Sequence, residues 1–403
     1  MKNKKILLIA FKFPPYPGVG GYRWSKLSKY LARLGYQVHV VTIDWKMTGA
    51  NTLLEDVQHE NIKIHRISSG CPHNLRQKKL GNRYFNYAKN LLLTKVIDQL
   101  FFWDDEAQRW GRYLIPFCKQ LISKERIKVV IATGHPFQAI RHAVTLKASL
   151  PDIKLIADFR DPWIQHPGYQ VSIRRYQVAK DWLRFVLKNC NLNVCVTQGL
   201  IEQYRPFYPE ANFVSIHNGV DTEIVQKLPT AQIEYDFVHV GNISNGREVP
   251  CSVFLETMAQ IKPDAKVLLV GNMPRKIYEY KKYLSNLSIN PPVSQEKAFN
   301  FVQMSRYALQ FNAEVVPYLL STKVYEYPAL GVPTISINYG GEIEKLILEN
   351  DWGCSINLCK DSIHDKLRGF LGSPTRAVSF DQKYCYNNIA KAYSNYIEWL
   401  LSI

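Results

Sequence analysis

The chain has eight cysteines but no CxxC pair. That argues against a structural zinc site or a redox dithiol and makes a reduced, cytosolic protein the expectation. No apolar run approaches the ~20 residues that a membrane-spanning helix needs. The stretch from Met1 to Phe11 resembles a signal peptide at first glance. Its apolar part is too short and is followed by Lys12 and two prolines, so it reads as a first buried strand. There is no internal repeat and no low-complexity segment. No GxGxxG sits at the end of that first strand, so the dinucleotide-binding fingerprint is missing. The first half has no DxD near a strand end, and there is no Cys/His cluster. The expectation is therefore chemistry without a metal and without a cofactor.

Acidic residues are also scarce. There are 34 Asp and Glu against 51 Lys and Arg, a formal charge of +17. Such a chain attracts something anionic: nucleotide phosphates, a lipid surface or nucleic acid. The basic residues are spread along the sequence and no RNA-recognition motif is present, which argues against nucleic acid. The length allows two or more domains with full cores, and 46% hydrophobic against 21% charged residues is a soluble, globular balance.

What is present is a regular β/α alternation. Strands are expected at Lys5–Phe11, Val38–Ile43, Ile62–Ile67, Val129–Thr133, Lys154–Phe159, Leu192–Thr197 and Phe213–His217. Trp24, Leu27, Leu31 and Leu34 recur at helical spacing, and Gly35 closes that helix. Before it lies a prolyl loop ending in Gly20-Gly21, where bare backbone could approach a ligand. Residues 73 to 124 break the alternation and read as one or two helices. Their first part interleaves Arg76, Lys78, Lys79, Arg83, Lys89 and Lys95 with aromatic and leucine side chains, a pattern suited to an anionic membrane surface. It suits an ordinary solvated basic face equally well. A polar stretch, 222–234, reads as a linker. A second series follows, with strands at Asp236–Gly241, Lys266–Gly271, Tyr307–Asn312 and Val332–Ile337, and residues 382–402 form a closing helix.

Candidate site residues fall where these strands end. In open parallel sheets the carboxyl edge is where ligands bind. His135, Arg160 and Asp161 sit there in the first half. In the second half two strands end in Gly-Asn, and Arg247 follows Asn242 in a loop, a reasonable phosphate clamp. Gly340-Gly341-Glu342 offers a further backbone site at a helix start. The most informative stretch is Ser321 to Pro333. Hydroxyls and Lys323 stand at a helix start, where free N–H groups bind anions. Glu326 lies about one turn on, placed to accept hydrogen bonds from a vicinal diol. Gly331 and Pro333 stop the helix. A cation beside a diol acceptor suits a nucleotide or a phosphorylated sugar. An ordinary strand–helix–strand unit with a solvated Lys–Glu pair fits the same residues.

Five motifs then carry a resemblance: Phe13-Pro14-Pro15…Gly20-Gly21, Leu34-Gly35-Tyr36-Gln37-Val38, Ala157-Asp158-Phe159-Arg160-Asp161-Pro162-Trp163, Asn218-Gly219-Val220-Asp221, and Lys323-Val324-Tyr325-Glu326-Tyr327…Gly331-Val332-Pro333. Over essentially its whole length the chain resembles the group 1 (family 4) glycosyltransferases of the GT-B fold. The resemblance implies an α/β chain of two Rossmann-like domains facing each other across a cleft. By it, residues 1–221 are the acceptor-side domain, 222–234 the linker, 235–380 the nucleotide-sugar domain and 381–403 the closing helix. It implies that Glu326 binds the donor ribose and that Lys323 and Thr322 lie near the diphosphate. Arg247 and Asn242 stand where the family has its basic phosphate residues. Gly20 and Gly21 approach the donor phosphates, and His135, Arg160 and Asp161 lie beside the transferred sugar or the acceptor hydroxyl. Two positions depart from the family pattern. The partner glutamate expected eight residues before Glu326 is Tyr318, with Glu314 the nearest acid, and Asn242 replaces an arginine.

The resulting expectation is a retaining, metal-independent hexosyltransferase. It would move a sugar from a nucleotide sugar to a glycan or lipid-linked acceptor in surface-polysaccharide synthesis (lipopolysaccharide or capsule). No cofactor beyond the donor substrate and no nucleic-acid partner are expected. The location would be cytoplasmic, peripheral at the inner face of the cell membrane. The alternatives are a nucleotide-sugar 2-epimerase or hydrolase on the same fold, and a non-catalytic basic scaffold.

Overall fold

The computed structural model describes residues 4–16, 19–45, 53–70, 82–92, 105–164, 173–229, 231–373 and 378–403. The chain divides into two compact units. The first comprises residues 1–196, 200–216 and 387–403, and the second comprises 197–199 and 217–386.

The first unit is built on seven parallel strands: β1 (Lys5–Ile9), β2 (Gln37–Ile43), β3 (Ile62–Ile67), β4 (Val129–Gly134), β5 (Lys154–Phe159), β6 (Leu192–Cys195) and β7 (Phe213–Ser215). Their order is β3-β2-β1-β4-β5-β6-β7. The inner strands are apolar on both faces, which is what a sheet covered by helices on each side requires. Helix Val19–Arg33 buries Trp24, Leu27 and Leu31, the residues whose spacing marked it, and ends at Gly35 with φ +86°.

One buried carboxylate ties this unit together. Asp158, near the end of β5, is fully buried. It accepts from Arg23 Nη2 at 3.1 Å, Trp24 Nε1 at 2.8 Å and Thr133 Oγ1 at 2.9 Å, and from the Tyr393 hydroxyl. Burial alone would push its pKa up. The adjacent Arg23 and the Tyr393 hydrogen bond outweigh that and hold it below the ordinary 3.8. The cluster joins helix Val19–Arg33, β4, β5 and the C-terminal helix Tyr386–Ser402. The closing helix is therefore part of the first unit's core.

The second unit has six parallel strands: β8 (Tyr235–Val240), β9 (Val267–Val270), β10 (Leu287–Asn290), β11 (Ser305–Phe311), β12 (Thr334–Asn338) and β13 (Gly353–Asn357), ordered β10-β9-β8-β11-β12-β13. Phe237, Phe254, Leu269, Leu309, Phe311, Ile335 and Ile337 share one buried core. Each such side chain contributes roughly 1.5–3 kcal/mol on burial. The stretch read as a linker packs with this unit. Asp221 caps a short helix, Thr222–Val225, and Ile224, Val225 and Leu228 lie against a second apolar cluster around Val238 and Val270.

Both sheets reverse their winding beside their first strand. The reversal falls between β1 and β4 in the first unit, and between β8 and β11 in the second. Loops at the carboxyl ends of those pairs diverge and leave a crevice. Among the described residues, no helix is long and apolar enough to cross a membrane.

Candidate functional site

The crevice of the second unit is lined from β8 and from the segment after β11. Gly241, just after β8, has φ +130°, and a Cβ there would stand 2.8 Å from Lys323 Cε and 2.9 Å from its Nζ. Only a glycine admits that approach, so Lys323 lies against bare backbone. Arg247 stands immediately before helix Glu248–Ile261, and its charge reaches Lys323. Burial holds the Lys323 pKa below its ordinary 10.5; Glu326 opposes this and Arg247 adds to it. Burial lowers Arg247 in the same way. Neither cation is within ion-pair distance of a carboxylate among the described residues. Beneath them His239 donates from Nδ1 to the Leu309 carbonyl at 2.9 Å. Burial, with Lys323 and Arg247 adding to it, pulls its pKa to about 3, so it contributes no charge at neutral pH.

Glu326 is buried, and burial raises its pKa against the pull of Lys323 and the Thr322 hydroxyl. Lys323 thus acts on Glu326 and feels Arg247, and the Thr322 hydroxyl bonds Glu326. The helix start itself does not work as expected. Helix Lys323–Ala329 is only seven residues long, and Thr322 gives no side-chain cap. The Lys323 N–H donates to Ser321 Oγ, Val324 to the Ser321 carbonyl, and Tyr325 and Glu326 to the Thr322 carbonyl. The first-turn donors are used locally, and the positive charge here belongs to side chains.

Other residues at this edge take partners within the fold. Asn242 Oδ1 accepts from Asn272 N at 2.9 Å and Nδ2 at 3.0 Å, fastening the β8 and β9 loops together. The Gly340-Gly341 turn is not an open backbone site. The Gly340 N–H goes to Asn338 Oδ1 and the Glu342 N–H to the Pro317 carbonyl, while a Cβ on Gly341 would be 2.2 Å from that same oxygen. The Glu342 carboxylate accepts from the Gly199 N–H at 2.9 Å. Tyr318, standing where the partner glutamate was expected, is buried, and burial pushes its hydroxyl up to about 12. Glu314 is exposed.

The first unit's crevice brings His135 and Arg160 together and adds two residues that the sequence reading passed over. Arg160 donates from Nε to the Gly134 carbonyl at 2.9 Å and from Nη2 to the His135 carbonyl at 2.8 Å. Asp161 flanks it, Oδ2 lying 3.7 Å from Arg160 Nε. Lys12, three residues beyond β1, reaches His135 Nδ1 at 3.2 Å and Glu106 Oε1 at 2.8 Å. A Cβ on Gly20 would meet Lys12 Cδ at 2.8 Å and Arg160 Nη2 at 3.2 Å, and one on Gly21 would meet the Tyr16 carbonyl at 3.2 Å. The two glycines make room for these neighbours. Lys12 could have been found as a charged residue just past a buried strand. Glu106 lies in a stretch read as helix, where no pattern marked it.

The family model for Glycosyltransferase Family 4 matches residues 22–224, half of the chain. The chain belongs to glycosyltransferase family 4. A second model, described as glycosyl transferase-like, matches residues 247–394. No curated protein matches the chain. Among solved structures, a glycosyltransferase from Rickettsia africae superposes with TM-score 0.64 at 14% identity, covering 100% of this chain and 99% of that one. HepE from Anabaena, solved in complex with UDP and glucose, gives 0.59 at 12% identity, covering 98% and 99%. The lipopolysaccharide outer-core galactosyltransferase WaaB gives 0.60 at 12% identity with the same coverage. At such identities the likeness establishes the fold: two Rossmann-like domains of the GT-B type.

Proposed function

We propose that this family 4 glycosyltransferase transfers a sugar from a nucleoside diphosphate sugar to a hydroxyl of a surface-glycan acceptor carried on a lipid, with retention at the anomeric carbon. The observation that carries the reading is the pair Lys323 and Arg247. Two half-buried cations whose charges act on each other stand at a topological switch point; among the described residues neither has a carboxylate within ion-pair distance, and Glu326 and Glu248 offset their charges only in part. A diphosphate would offset the rest, and the same groups would stabilise the departing nucleoside diphosphate as its charge develops. Glu326, one turn further on, would accept from the ribose hydroxyls. His135, Arg160 and Asp161 would serve the transferred sugar or the acceptor hydroxyl. The leaving phosphate oxygen would take the acceptor proton on the face it vacates, which gives retention. HepE's printed complex with UDP and glucose supports a nucleotide-sugar donor, and WaaB supports a lipopolysaccharide-type acceptor.

Acceptor-dependent release of nucleoside diphosphate is the test. The protein is incubated with each nucleotide sugar in turn, with and without lipid-linked glycan. Release that requires the acceptor, with a new glycoside formed, is the expected result. Release without an acceptor would indicate a hydrolase, and isomerised donor without release would indicate an epimerase.

A further inference from the structure

The array Lys12–His135–Glu106 lies wholly within the first unit, and its geometry fixes more than the position of the ring. An ammonium group has three donors and no lone pair, so it can only donate. Lys12 Nζ lies 3.2 Å from His135 Nδ1. That nitrogen must then hold a lone pair, and the single proton of the neutral imidazole must sit on Nε2. Glu106 Oε1, 2.8 Å away, pairs the charge of the ammonium. The Tyr16 ring lies 5.6 Å from the ammonium, a cation–π distance.

The His135 ring and backbone are also held from other sides. Phe137 packs edge-to-face on the ring with centroids 5.6 Å apart and planes at 87°. Arg160 Nη2 holds the His135 carbonyl at 2.8 Å. The side chains of Lys12 and Glu106 are 15% and 21% exposed, so this pair is shielded from the screening that makes surface ion pairs weak. Lys12 reaches this place only because Gly20 has no side chain in its path.

We infer that Lys12 is a positioning residue that sets the tautomer of His135, so that the ring carries its proton on Nε2 and keeps a bare Nδ1 against the ammonium. The ligand group this suits is a hydrogen-bond acceptor: a sugar hydroxyl oxygen or a phosphate oxygen. The inference rests on the proposed function only for what that ligand is; the tautomer itself is a property of the free protein. It assigns His135 to orienting or stabilising an oxygen and leaves proton removal to another group. A Lys–Glu pair that merely stapled the loop would place no constraint on the ring proton.

The experiment is a long-range nitrogen–proton correlation spectrum of ligand-free protein labelled with 15N-histidine, recorded above pH ~7.5, where an ordinary histidine is neutral. His135→Asn assigns the resonances. The wild-type chain should show His135 with a bare Nδ1 and a protonated Nε2. The exchanged pair K12E/E106K keeps a lysine–glutamate contact but places a carboxylate against Nδ1, so the proton should move to Nδ1. A wild-type ring protonated at Nδ1 overturns the inference, as does a folded K12E/E106K chain whose Nδ1 stays bare. The wild-type spectrum decides alone if the exchanged chain does not fold. Loss of the glycosyltransferase reading would show as absent nucleotide binding with this spectrum unchanged.

Discussion

In both units the chain reverses its winding beside the first strand, and in both the loops at that reversal carry cations, yet the cations are handled in opposite ways. In the first unit each has a partner within the fold. Lys12 is held by Glu106 and His135, Arg160 by two backbone carbonyls, and Arg23 by Asp158 just beneath. In the second unit Lys323 lies against the bare backbone of Gly241 and feels the charge of Arg247, and neither has an ion pair among the described residues. The first arrangement spends its charge on stability and preorganisation. The second leaves its charge for a ligand, at some cost to the folded state, as sites that bind anions commonly do.

That contrast gives the largest expected effect. Asp158→Ala strands Arg23 as a buried, unpaired cation and should destabilise the protein by about 3–5 kcal/mol. Lys323→Met removes a cation that burial and Arg247 already disfavour, and should leave the melting temperature unchanged or slightly raised. Denaturant unfolding of the two variants side by side checks this, and equal losses from both would erase the distinction. The pH dependence has opposite signs as well. Asp158 has a depressed folded-state pKa, so its stabilisation is present above about pH 4 and is lost as pH falls through the folded value. Lys323 is also depressed, but as a cation. Its cost applies at neutral pH and is relieved as pH rises from its folded pKa towards 10.5.

A smaller effect follows from the same shift. A bound diphosphate should raise the Lys323 pKa back towards its ordinary value. Binding on the alkaline side should therefore take up protons, and affinity should fall as pH rises through that window. Calorimetry in buffers of different ionisation enthalpy measures the uptake; affinity and heat independent of pH and buffer would place the anion away from Lys323.

The smallest effect concerns the basic, aromatic segment His73–Trp103. Most of it lies outside the described residues, but helix Arg83–Leu92 presents Tyr84, Phe85, Tyr87 and Leu92 to solvent. Docking on anionic vesicles should weaken when Lys78, Lys79 and Arg83 are changed to glutamate, by roughly 1 kcal/mol per basic residue lost. Co-sedimentation reads this out, and unchanged binding would favour an acceptor that is not held at a membrane.

How much of this was legible depends on what each feature rests on. Eleven of the thirteen strands among the described residues carry apolar or β-branched runs, and these mark themselves. The two that the sequence reading passed over are β10 and β13, at the edges of the second sheet. Leu287-Ser288-Ile289-Asn290 is four residues long and half polar. Gly353-Cys354-Ser355-Ile356-Asn357 opens on a glycine, placed there because a Cβ would lie 2.1 Å from the Thr334 carbonyl. Propensity scores such segments as turns, and pairing with a neighbour overrides it. The second unit's Lys323 and Glu326 were legible because they lie within one helical turn. The Lys12–Glu106–His135 array was not, because it joins residues 94 and 29 positions apart, read off as 12, 106 and 135. The bond from Asn272 to Asn242 Oδ1 was not legible either, because it joins two loops 30 residues apart.

The central claim is that Lys323 and Arg247 together hold a nucleoside diphosphate, and calorimetric titration tests it most directly. UDP, GDP and ADP are titrated in turn into the wild-type chain and into the double variant Arg247→Met, Lys323→Met. Charge-assisted hydrogen bonds contribute about 1.5–3 kcal/mol each. At least one nucleotide should bind the wild-type chain, and the double variant should bind it roughly 100-fold more weakly or worse while melting at the same temperature. Wild-type affinity in the double variant, or no binding of any of the three to the wild-type chain, would contradict the account.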